Sequence, residues 1–334
     1  MINRQVIVQE LPKGELTQDH FALQDADMPV PGEGEVLVRT LLMSIDAANR
    51  SWMQGPTYRE AVKAGDAMHT YALCEVMESR SDRLAPGDIV ATETVWAEYA
   101  VRPARGCEKL PSVSSLSHLM SVYGIAGKTA FHGLIGVGQP VPGETVLVSA
   151  AAGSVGGYVG QIAKAMGCRA VGIAGGPEKC AWVRDELSFD DCLDYRDQGF
   201  FKALRAACPN GVDVYFDNVG GEILEKVLFQ MNERGRVVCC GAISQYDSAA
   251  PTGPRNLPGM VVVKRLRMEG FIVMDFARED ANALRALQNW VAEGKIKVFE
   301  DVVEGLENAP SALIGLLNGE NKGKRMVRVA PDPE

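Results

Sequence analysis

Between residues 121 and 275 the sequence alternates short apolar runs with segments of helical pattern, and this alternation most constrains the fold. The apolar runs predict strands at 145–150, 169–174, 212–217, 236–241 and 268–273. Strands that alternate with helices are typical of a parallel sheet covered by helices. The sequence therefore predicts an α/β, doubly wound parallel-sheet domain.

The flanking segments have a different pattern. Residues 1 to about 120 carry short strand signals separated by Gly and Pro, such as Glu35–Leu41 and Asp88–Thr92. A helix is predicted at 280–293 and a last strand at Arg325–Ala330, which we expect to rejoin the first domain. The predicted parts are a mainly-β domain at 1–120, an α/β domain at 121–290 and a segment at 291–334 that returns to the first domain.

Composition and charge exclude several classes of protein. A formal net charge of −9 argues against a nucleic-acid partner, which usually needs a concentrated basic face. No apolar run is long enough to span a bilayer, and Met1–Glu10 lacks the pattern of a signal peptide. We expect a cytoplasmic protein without a membrane partner, whose eight cysteines are free thiols.

The stretch Val146–Gly157, VLVSAAAGSVGG, passes from a predicted strand through a turn of small residues into a helix. In the dinucleotide motif G-x-G-x-x-G the first position is Ala here, and the other two glycines are present. Small residues let a pyrophosphate approach the backbone N–H groups at a helix start, although they also serve packing alone. The predicted cofactor-binding residues in this turn are Ala152, Gly153, Ser154, Val155 and Gly156.

The end of the second predicted strand indicates which dinucleotide is bound. An NAD site has an acidic residue there that binds the ribose hydroxyls. This strand runs into Gly175 and Gly176 instead, with Lys179 just inside the next helix and Tyr195 closing the following strand. An ammonium group at this place favours the 2′-phosphate of NADP(H).

Several longer stretches resemble zinc-independent medium-chain dehydrogenases/reductases of the leukotriene/prostaglandin reductase and curcumin reductase type, which include alkenal double-bond reductases. The similarity covers nearly the whole chain. The matching stretches include PVPGEGEVLV at 29–38, YGIAGKTAFHGLIG at 123–136, YFDNVGG at 215–221, CGAISQY at 240–246 and ENKGKR at 320–325.

This resemblance implies a Rossmann NADP-binding domain inserted in a GroES-like barrel domain. It also implies hydride transfer from NADPH to the β-carbon of an α,β-unsaturated ketone or aldehyde. Lys179 and Tyr195 should hold the 2′-phosphate. The further cofactor-binding residues implied are Asn218, Cys240, Ile243, Tyr246, Phe271, Val273 and Asn321.

The chain departs from the family near the expected substrate. Many relatives carry Asp-Pro-Tyr-Met-Arg where this chain has DAANR at 46–50, so the tyrosine is replaced by Ala48. Trp52, Tyr58 and Tyr71 are the candidate substrate-binding residues that refill this wall, although each also suits core packing. Because this stretch is altered, the sequence does not identify which enone or enal is the physiological substrate.

Zinc alcohol dehydrogenases share the architecture but need three metal ligands, typically Cys and His. The expected first ligand position reads Met43-Ser44-Ile45-Asp46, without cysteine, so we predict no metal. Two alternatives stay open, namely an NADPH-dependent quinone oxidoreductase and a catalytically inactive NADPH-binding protein.

Tyr246 is the candidate catalytic residue. Hydride addition to the β-carbon of an enone leaves an enolate oxygen that needs a hydrogen-bond donor, and an α-carbon that needs a proton. A phenol can supply both without added charge, but Tyr246 can equally position the cofactor ribose while water gives the proton.

A homodimer is also predicted, from the family resemblance and from the apolar run Met268–Met274.

Overall fold

The structure, a computed structural model, describes residues 2–110, 115–246 and 253–333 of the 334-residue chain. Its strands, within those residues, are β1 Ile2–Val8, β2 Phe21–Asp27, β3 Glu35–Ser44, β4 His69–Ser79, β5 Ile89–Val95, β6 Tyr99–Pro103, β7 Glu108–Lys109, β8 Thr145–Ser149, β9 Arg169–Ala174, β10 Asp191–Asp194, β11 Val212–Asp217, β12 Met231–Cys239, β13 Arg267–Gly270, β14 Glu300–Glu304 and β15 Lys324–Arg328.

The α-helices of the same described segments are α1 Ala48–Ser51, α2 Leu116–Met120, α3 Ile125–Phe131, α4 Ser154–Ala165, α5 Pro177–Asp185, α6 Phe200–Ala207, α7 Gly221–Gln230, α8 Ile243–Tyr246, α9 Leu257–Lys264, α10 Asp280–Ala292 and α11 Ala309–Leu317. A π-helix follows α3 at His132–Gly138. The 3₁₀ turns are Gln18–His20, Ala104–Gly106, Val273–Phe276 and Leu306–Asn308.

These elements form two compact units. The first contains Met1–Met120, Glu300–Glu320 and Arg325–Glu334, and the second contains Ser121–Phe299 and Asn321–Lys324. The sequence placed the later boundary after residue 290, whereas the second unit continues to Phe299. Assigning catalytic and cofactor roles to the units is a proposal.

The second unit is built on a parallel sheet of six strands in the order β10-β9-β8-β11-β12-β13. From β8 the chain winds outward through β9 and β10, then returns to β11 and winds the other way. The strand order therefore reverses between β8 and β11, where doubly wound sheets open a crevice at the carboxyl ends of their strands. The predicted parallel, doubly wound sheet is confirmed.

Helices cover this sheet because apolar side chains line both of its faces. Val146 and Val148 of β8 point into one buried cluster with α4, and Leu147 points into a second cluster with α6 and α7. Alternate side chains of a strand face opposite sides, so a strand buried on both faces must be apolar throughout. This explains the continuous apolar run that predicted β8.

Several predicted strands differ in extent from the observed ones, for example 236–241, where β12 is Met231–Cys239. The strand predicted at 268–273 ends at Gly270, and Val273 begins a 3₁₀ turn. Phe271 leaves the strand because its ring packs against Gly133 of the π-helix and edge-on to Phe216, with ring centroids 6.3 Å apart. The strand predicted at 145–150 ends at Ser149 because Ala150 has a left-handed φ of 51°.

The first unit contains a mainly antiparallel sheet in the order β14-β15-β3-β4-β5-β7, with β6 paired to β3. The last strand, β15, pairs antiparallel with β3. A separate hairpin-like pair joins β1 and β2. The core of this unit is a cluster around Trp96, Met43 and Met68, each fully buried. Within the described segments, every helix is too short or too polar to cross a membrane.

Candidate active site

The small-residue turn after β8 is folded tightly on itself. Gly153 is the N-cap of α4, and its N–H donates to the carbonyl of Ala150 at 2.9 Å. Ala150 adopts the left-handed conformation, which costs energy in any residue with a side chain. The turn directs the start of α4, with its N–H groups, toward the carboxyl edge of the sheet.

Gly156 cannot carry a side chain in this arrangement. A Cβ there would lie 2.3 Å from the carbonyl oxygen of Ala150. The glycine therefore lets the first turn of α4 pack directly on the chain that leaves β8. Nearby, the hydroxyl of Ser154 is buried and makes no hydrogen bond in the structure. Buried hydroxyls normally have a partner, so a small-residue cradle with an unsatisfied donor at a helix start fits a bound phosphate.

Beside this turn, two glycines follow β9 in place of an acid, and a cation from the loop after β10 lies next to them. A Cβ on Gly175 would meet both the ring of Tyr195, at 3.1 Å, and the guanidinium of Arg196, at 3.2 Å. Asp194 holds the loop, because its carboxylate accepts from the N–H groups of Gly176 and Arg196 at 2.9 and 3.0 Å. Its carboxylate is thus used on the backbone, and a cation and a phenol face the glycine.

Residues Asn321–Lys324, which we call the strap, lie across this edge of the second unit. The N–H of Gly323 donates to the carbonyl of Ala152 at 3.0 Å, and Gly323 forms a parallel bridge with Gly153. The ammonium of Lys179 donates to the carbonyl of Asn321 at 2.5 Å. Predicted residues from three distant parts of the sequence are therefore brought together.

On the other side of the strand reversal, Asp217 ends β11 with its carboxylate buried. Its Oδ1 accepts from the hydroxyls of Tyr215, at 2.8 Å, and Ser149, at 3.2 Å. The same oxygen accepts from the N–H groups of Val219 and Gly220 at 3.0 and 2.9 Å. Burial raises the pKa of Asp217, and the four donors oppose that shift.

Asn218 is fixed by this carboxylate network. Its N–H donates to the Ser149 hydroxyl at 2.9 Å and its side-chain amide donates to the Ser149 carbonyl at 2.8 Å. The backbone carbonyl of Asp217 accepts from the N–H groups of Cys240 and Gly241, which follow β12. The carboxyl ends of β8, β11 and β12 are therefore joined in one hydrogen-bonded unit.

Tyr246 ends the short helix α8, which is bonded to the same network. The N–H of Ile243 donates to the carbonyl of Asn218 at 3.2 Å. The phenol oxygen of Tyr246 accepts from the N–H of Ala242 at 3.2 Å. In this contact the phenol oxygen acts as the acceptor. Burial raises the pKa of the Cys240 thiol to about 12, so that thiol is neutral near pH 7.

Phe271 and Val273 follow β13, the next strand along the edge. The ring of Phe271 also packs edge-on to Phe276, with centroids 6.2 Å apart. Phe276 in turn stacks on the buried His132, whose ring nitrogen lies 3.1 Å from a carboxylate oxygen of Asp280. Aromatic packing thus fixes the position of Phe271 after β13.

The predicted substrate-binding residues lie in the first unit. Trp52 is buried and packs edge-on to Tyr58, which is 53% exposed. The guanidinium of Arg59 lies 4.3 Å from the centre of the Trp52 ring and pairs with Glu93. Tyr71 of β4 is the cross-strand partner of Glu93, so it belongs to the same neighbourhood.

The altered stretch at 46–50 has a structural role. The side chain of Asn49 accepts from the N–H of Asp46 at 2.8 Å and donates to the carbonyl of His69 at 2.8 Å. Arg50 is buried and donates to the carbonyl of Gly14. Both side chains therefore hold the loop that carries Trp52.

Sequence reasoning missed two cations in these neighbourhoods. Arg196 stands next to the predicted Tyr195, and its guanidinium lies 5.6 Å from the centre of that ring. Arg59 stands next to the predicted Tyr58. A charged residue adjacent to a predicted aromatic was the available signal, but its partner depends on tertiary contacts.

Within the described ranges, His, Cys, Asp and Glu form no group of three or more that would hold a metal ion. Cys74 is fully buried in β4, and burial raises the pKa of its thiol to about 12. All eight cysteines are free thiols.

Comparison with known proteins gives consistent matches. Residues 4–110 match the profile of the N-terminal domain of oxidoreductase, and residues 154–289 match that of zinc-binding dehydrogenase. The chain is 40% identical to the NADPH-dependent curcumin reductase of Escherichia coli, over 99% of this chain and 98% of that protein. It is 40% identical to prostaglandin reductase 1 of Rattus norvegicus, over 93% of this chain and 94% of that protein.

A solved structure agrees with these matches. The complex of CurA from Vibrio vulnificus with NADPH superposes with a TM-score of 0.94 at 38% identity, covering 98% of this chain and all of that one. The fold and the site thus define an oxidoreductase of two units with a dinucleotide sheet. The chain belongs to the medium-chain dehydrogenase/reductase family, in the branch that contains curcumin reductases and prostaglandin reductases.

Proposed function

We propose that this protein reduces the carbon–carbon double bond of α,β-unsaturated ketones or aldehydes with NADPH. The observation that supports NADPH as the cofactor is the arrangement after β9. There Gly175 faces Tyr195 and Arg196, and Lys179 is close in sequence. A 2′-phosphate is a dianion near neutral pH and is bound well by such groups. The reaction is supported by the relatives, a curcumin reductase and a prostaglandin reductase.

Successive groups of residues along the carboxyl edge of the sheet suit successive parts of NADPH. Ala152 to Gly156 would cradle the pyrophosphate at the start of α4, where Ser154 has an unsatisfied hydroxyl. Lys179, Tyr195 and Arg196 would hold the 2′-phosphate. Across the strand reversal, the residues that would line the nicotinamide half are Asn218, Cys240, Ile243, Tyr246, Phe271 and Val273, and Asn321 would reach the cofactor from the strap.

When bound, NADPH supplies the hydride that adds to the β-carbon. The chain must then stabilise the enolate oxygen of the substrate and deliver one proton to the α-carbon, so that the double bond gains two hydrogens. Tyr246 is the proposed donor. Its oxygen accepts from the N–H of Ala242, and that bond stabilises negative charge on the phenol as its proton leaves.

Trp52, Tyr58 and Tyr71 are the proposed substrate contacts. Trp52 and Tyr58 present an aromatic surface that suits an extended conjugated substrate, and the Arg59–Glu93 pair adds a polar border. We also propose that the enzyme acts in the cytoplasm on small molecules, without nucleic-acid or membrane partners.

The proposed reaction predicts that purified protein oxidises NADPH with enals and enones as acceptors. Quinones and saturated aldehydes, tested in the same assay, should be much slower. Activity should survive EDTA, because the proposed chemistry needs no Lewis acid. The measurement is loss of absorbance at the NADPH band, with the saturated product identified by mass spectrometry and bound zinc by elemental analysis.

Each alternative gives a different result in that assay. Rates that are highest with quinones would support a quinone oxidoreductase. Cofactor binding without oxidation by any acceptor class would support an inactive NADPH-binding protein. One zinc per chain together with loss of activity in EDTA would contradict metal independence.

Replacing Lys179 should separate the two nicotinamide cofactors. A charge-assisted hydrogen bond contributes about 1.5–3 kcal/mol, so Lys179→Ala should raise the Kd of NADPH about 10- to 100-fold. The Kd of NADH should change little, because NADH lacks the phosphate. Fluorescence titration measures both constants. Lys164→Ala, at the opposite edge of the sheet, is the control, and equal weakening of both cofactors would reject the 2′-phosphate role.

Tyr246→Phe tests the proton donor. A positioned general acid contributes roughly 10²–10⁴ in rate, so kcat for an enone should fall by that factor while the Kd of NADPH stays the same. A loss confined to cofactor affinity would assign Tyr246 to the ribose and leave water as the proton source. Wild-type behaviour in both measurements would remove Tyr246 from the reacting centre.

We propose a C2 homodimer that uses the edge of the parallel sheet at β13. This strand is at the end of the sheet, so its outer backbone groups face away from β12. On helix α9, which precedes β13, Val262 and Val263 are 72% and 68% exposed. In the 3₁₀ turn after β13, Met274 is 51% exposed. An open strand edge beside exposed apolar side chains suits a self-complementary interface.

Sedimentation equilibrium should therefore give twice the chain mass of 36.0 kDa at micromolar concentration. Val263→Asp should shift the equilibrium toward monomer, because burying an unpaired carboxylate at the interface is costly. Val141→Asp is the matched control, since Val141 is also exposed and lies before β8. A monomer in the wild-type protein would contradict the proposal.

A further inference from the structure

The first turn of α5 carries an acid where the proposed function needs positive charge. Glu178 directly precedes Lys179, the proposed ligand of the 2′-phosphate, and its side chain is 86% exposed. Both residues lie in the first turn of the helix, after the N-cap Gly176. A carboxylate so close to a phosphate dianion weakens phosphate binding by like-charge repulsion.

The strap provides the compensating charge. The ammonium of Lys322 donates to the carboxylate of Glu178 at 2.6 Å and lowers the pKa of that carboxyl. Lys179 reaches in the opposite direction, from the helix to the carbonyl of Asn321. Two lysines therefore join the strap and α5, one directed each way. Gly323, the next strap residue, is bonded to the turn at Ala152.

The position of Lys322 is fixed by backbone contacts on both sides. A Cβ on Gly323 would lie 2.1 Å from the carbonyl oxygen of Phe299, so the strap runs close against the chain there. The side-chain amide of the buried Asn321 donates to the carbonyl of Gly323 at 2.9 Å. Lys322 is thus held between two anchored residues and presents its charge at the first turn of α5.

We propose that Lys322, through its pair with Glu178, is a specificity-determining residue that sets the preference for NADPH over NADH. The inference rests on the proposed function, which places the 2′-phosphate at Lys179. Five side chains with contacts at α5 and the loop after β10 enter the argument, the cations Lys179, Arg196 and Lys322 and the anions Glu178 and Asp194. These five sum to one positive charge, and removing Lys322 brings their sum to zero.

Charge balance predicts a definite order among four proteins. Lys322→Met leaves Glu178 unpaired, so NADPH should bind about two- to fivefold more weakly at low salt. Glu178→Gln removes the repelling charge, so NADPH should bind about two- to fivefold more tightly. The double variant restores the wild-type balance and should bind NADPH like the wild type. These differences should shrink in about 0.5 M salt, because the Debye length there is only a few ångströms and the charges are screened.

A purely structural role of the Glu178–Lys322 ion pair predicts a different order of NADPH affinities. If the Glu178–Lys322 pair only holds the strap in place, both single variants lose the same bond. Both should then bind NADPH more weakly, and NADH should weaken with it because the strap also contacts the turn. Tighter binding of NADPH by Glu178→Gln is the result that a structural role does not give.

The experiment is isothermal titration calorimetry of the full-length protein with NADPH and NADH at two salt concentrations. Lys164→Met is the matched control, because the Lys164 side chain is 35% exposed, close to the 36% of Lys322. Lys164 also pairs with an acid, Asp190, at 2.7 Å, but at the amino-terminal edge of the sheet. Its removal should leave both cofactor constants within the error of the wild type.

The outcomes separate this inference from the proposed function. A wild-type preference for NADPH that Lys179→Ala removes, together with the predicted order, supports both. The same preference with no separation among the Glu178 and Lys322 variants overturns the inference alone. A wild type that binds NADH as well as NADPH overturns the cofactor assignment and the inference with it.

Discussion

The carboxylate of Asp217 is the interaction on which the carboxyl ends of β8, β11 and β12 depend. One buried oxygen accepts hydrogen bonds from two side chains and two backbone N–H groups, and so ties β8 to the turn after β11. The backbone carbonyl of the same residue holds the segment after β12. A buried charge is costly unless it is fully hydrogen-bonded, so this end of the sheet has one arrangement that satisfies it.

The two halves of the site are organised by different forces. On the side of Asp217, a buried polar network and a series of aromatic contacts fix Asn218 and Phe271. On the side of Lys179, the groups are exposed, charged and balanced against each other around α5 and the strap. Buried networks specify geometry, whereas exposed charges act over several ångströms and are screened by salt. The charges on the side of Lys179 can therefore change without disturbing the network around Asp217.

Local pattern was enough to predict the parallel sheet, the turn after β8 and the helix α10, because these features follow from apolar periodicity and small residues. Pattern could not show that Phe271 leaves β13, since the cause is the space above Gly133, a distant residue. It also missed Arg196 and Arg59, whose neighbours come from tertiary contacts. The roles of the site residues, Tyr246 above all, stay predictions because they concern bound molecules.

The strap also has a consequence for how the chain matures. The second unit is assembled from Ser121–Phe299 and from four residues near the opposite end, Asn321–Lys324. During synthesis, the sheet and its helices emerge well before the bridge between Gly153 and Gly323 can form. The turn after β8 is therefore completed only after Asn321–Lys324 have been made, and a chain that stops before the strap lacks the bridge to Gly153.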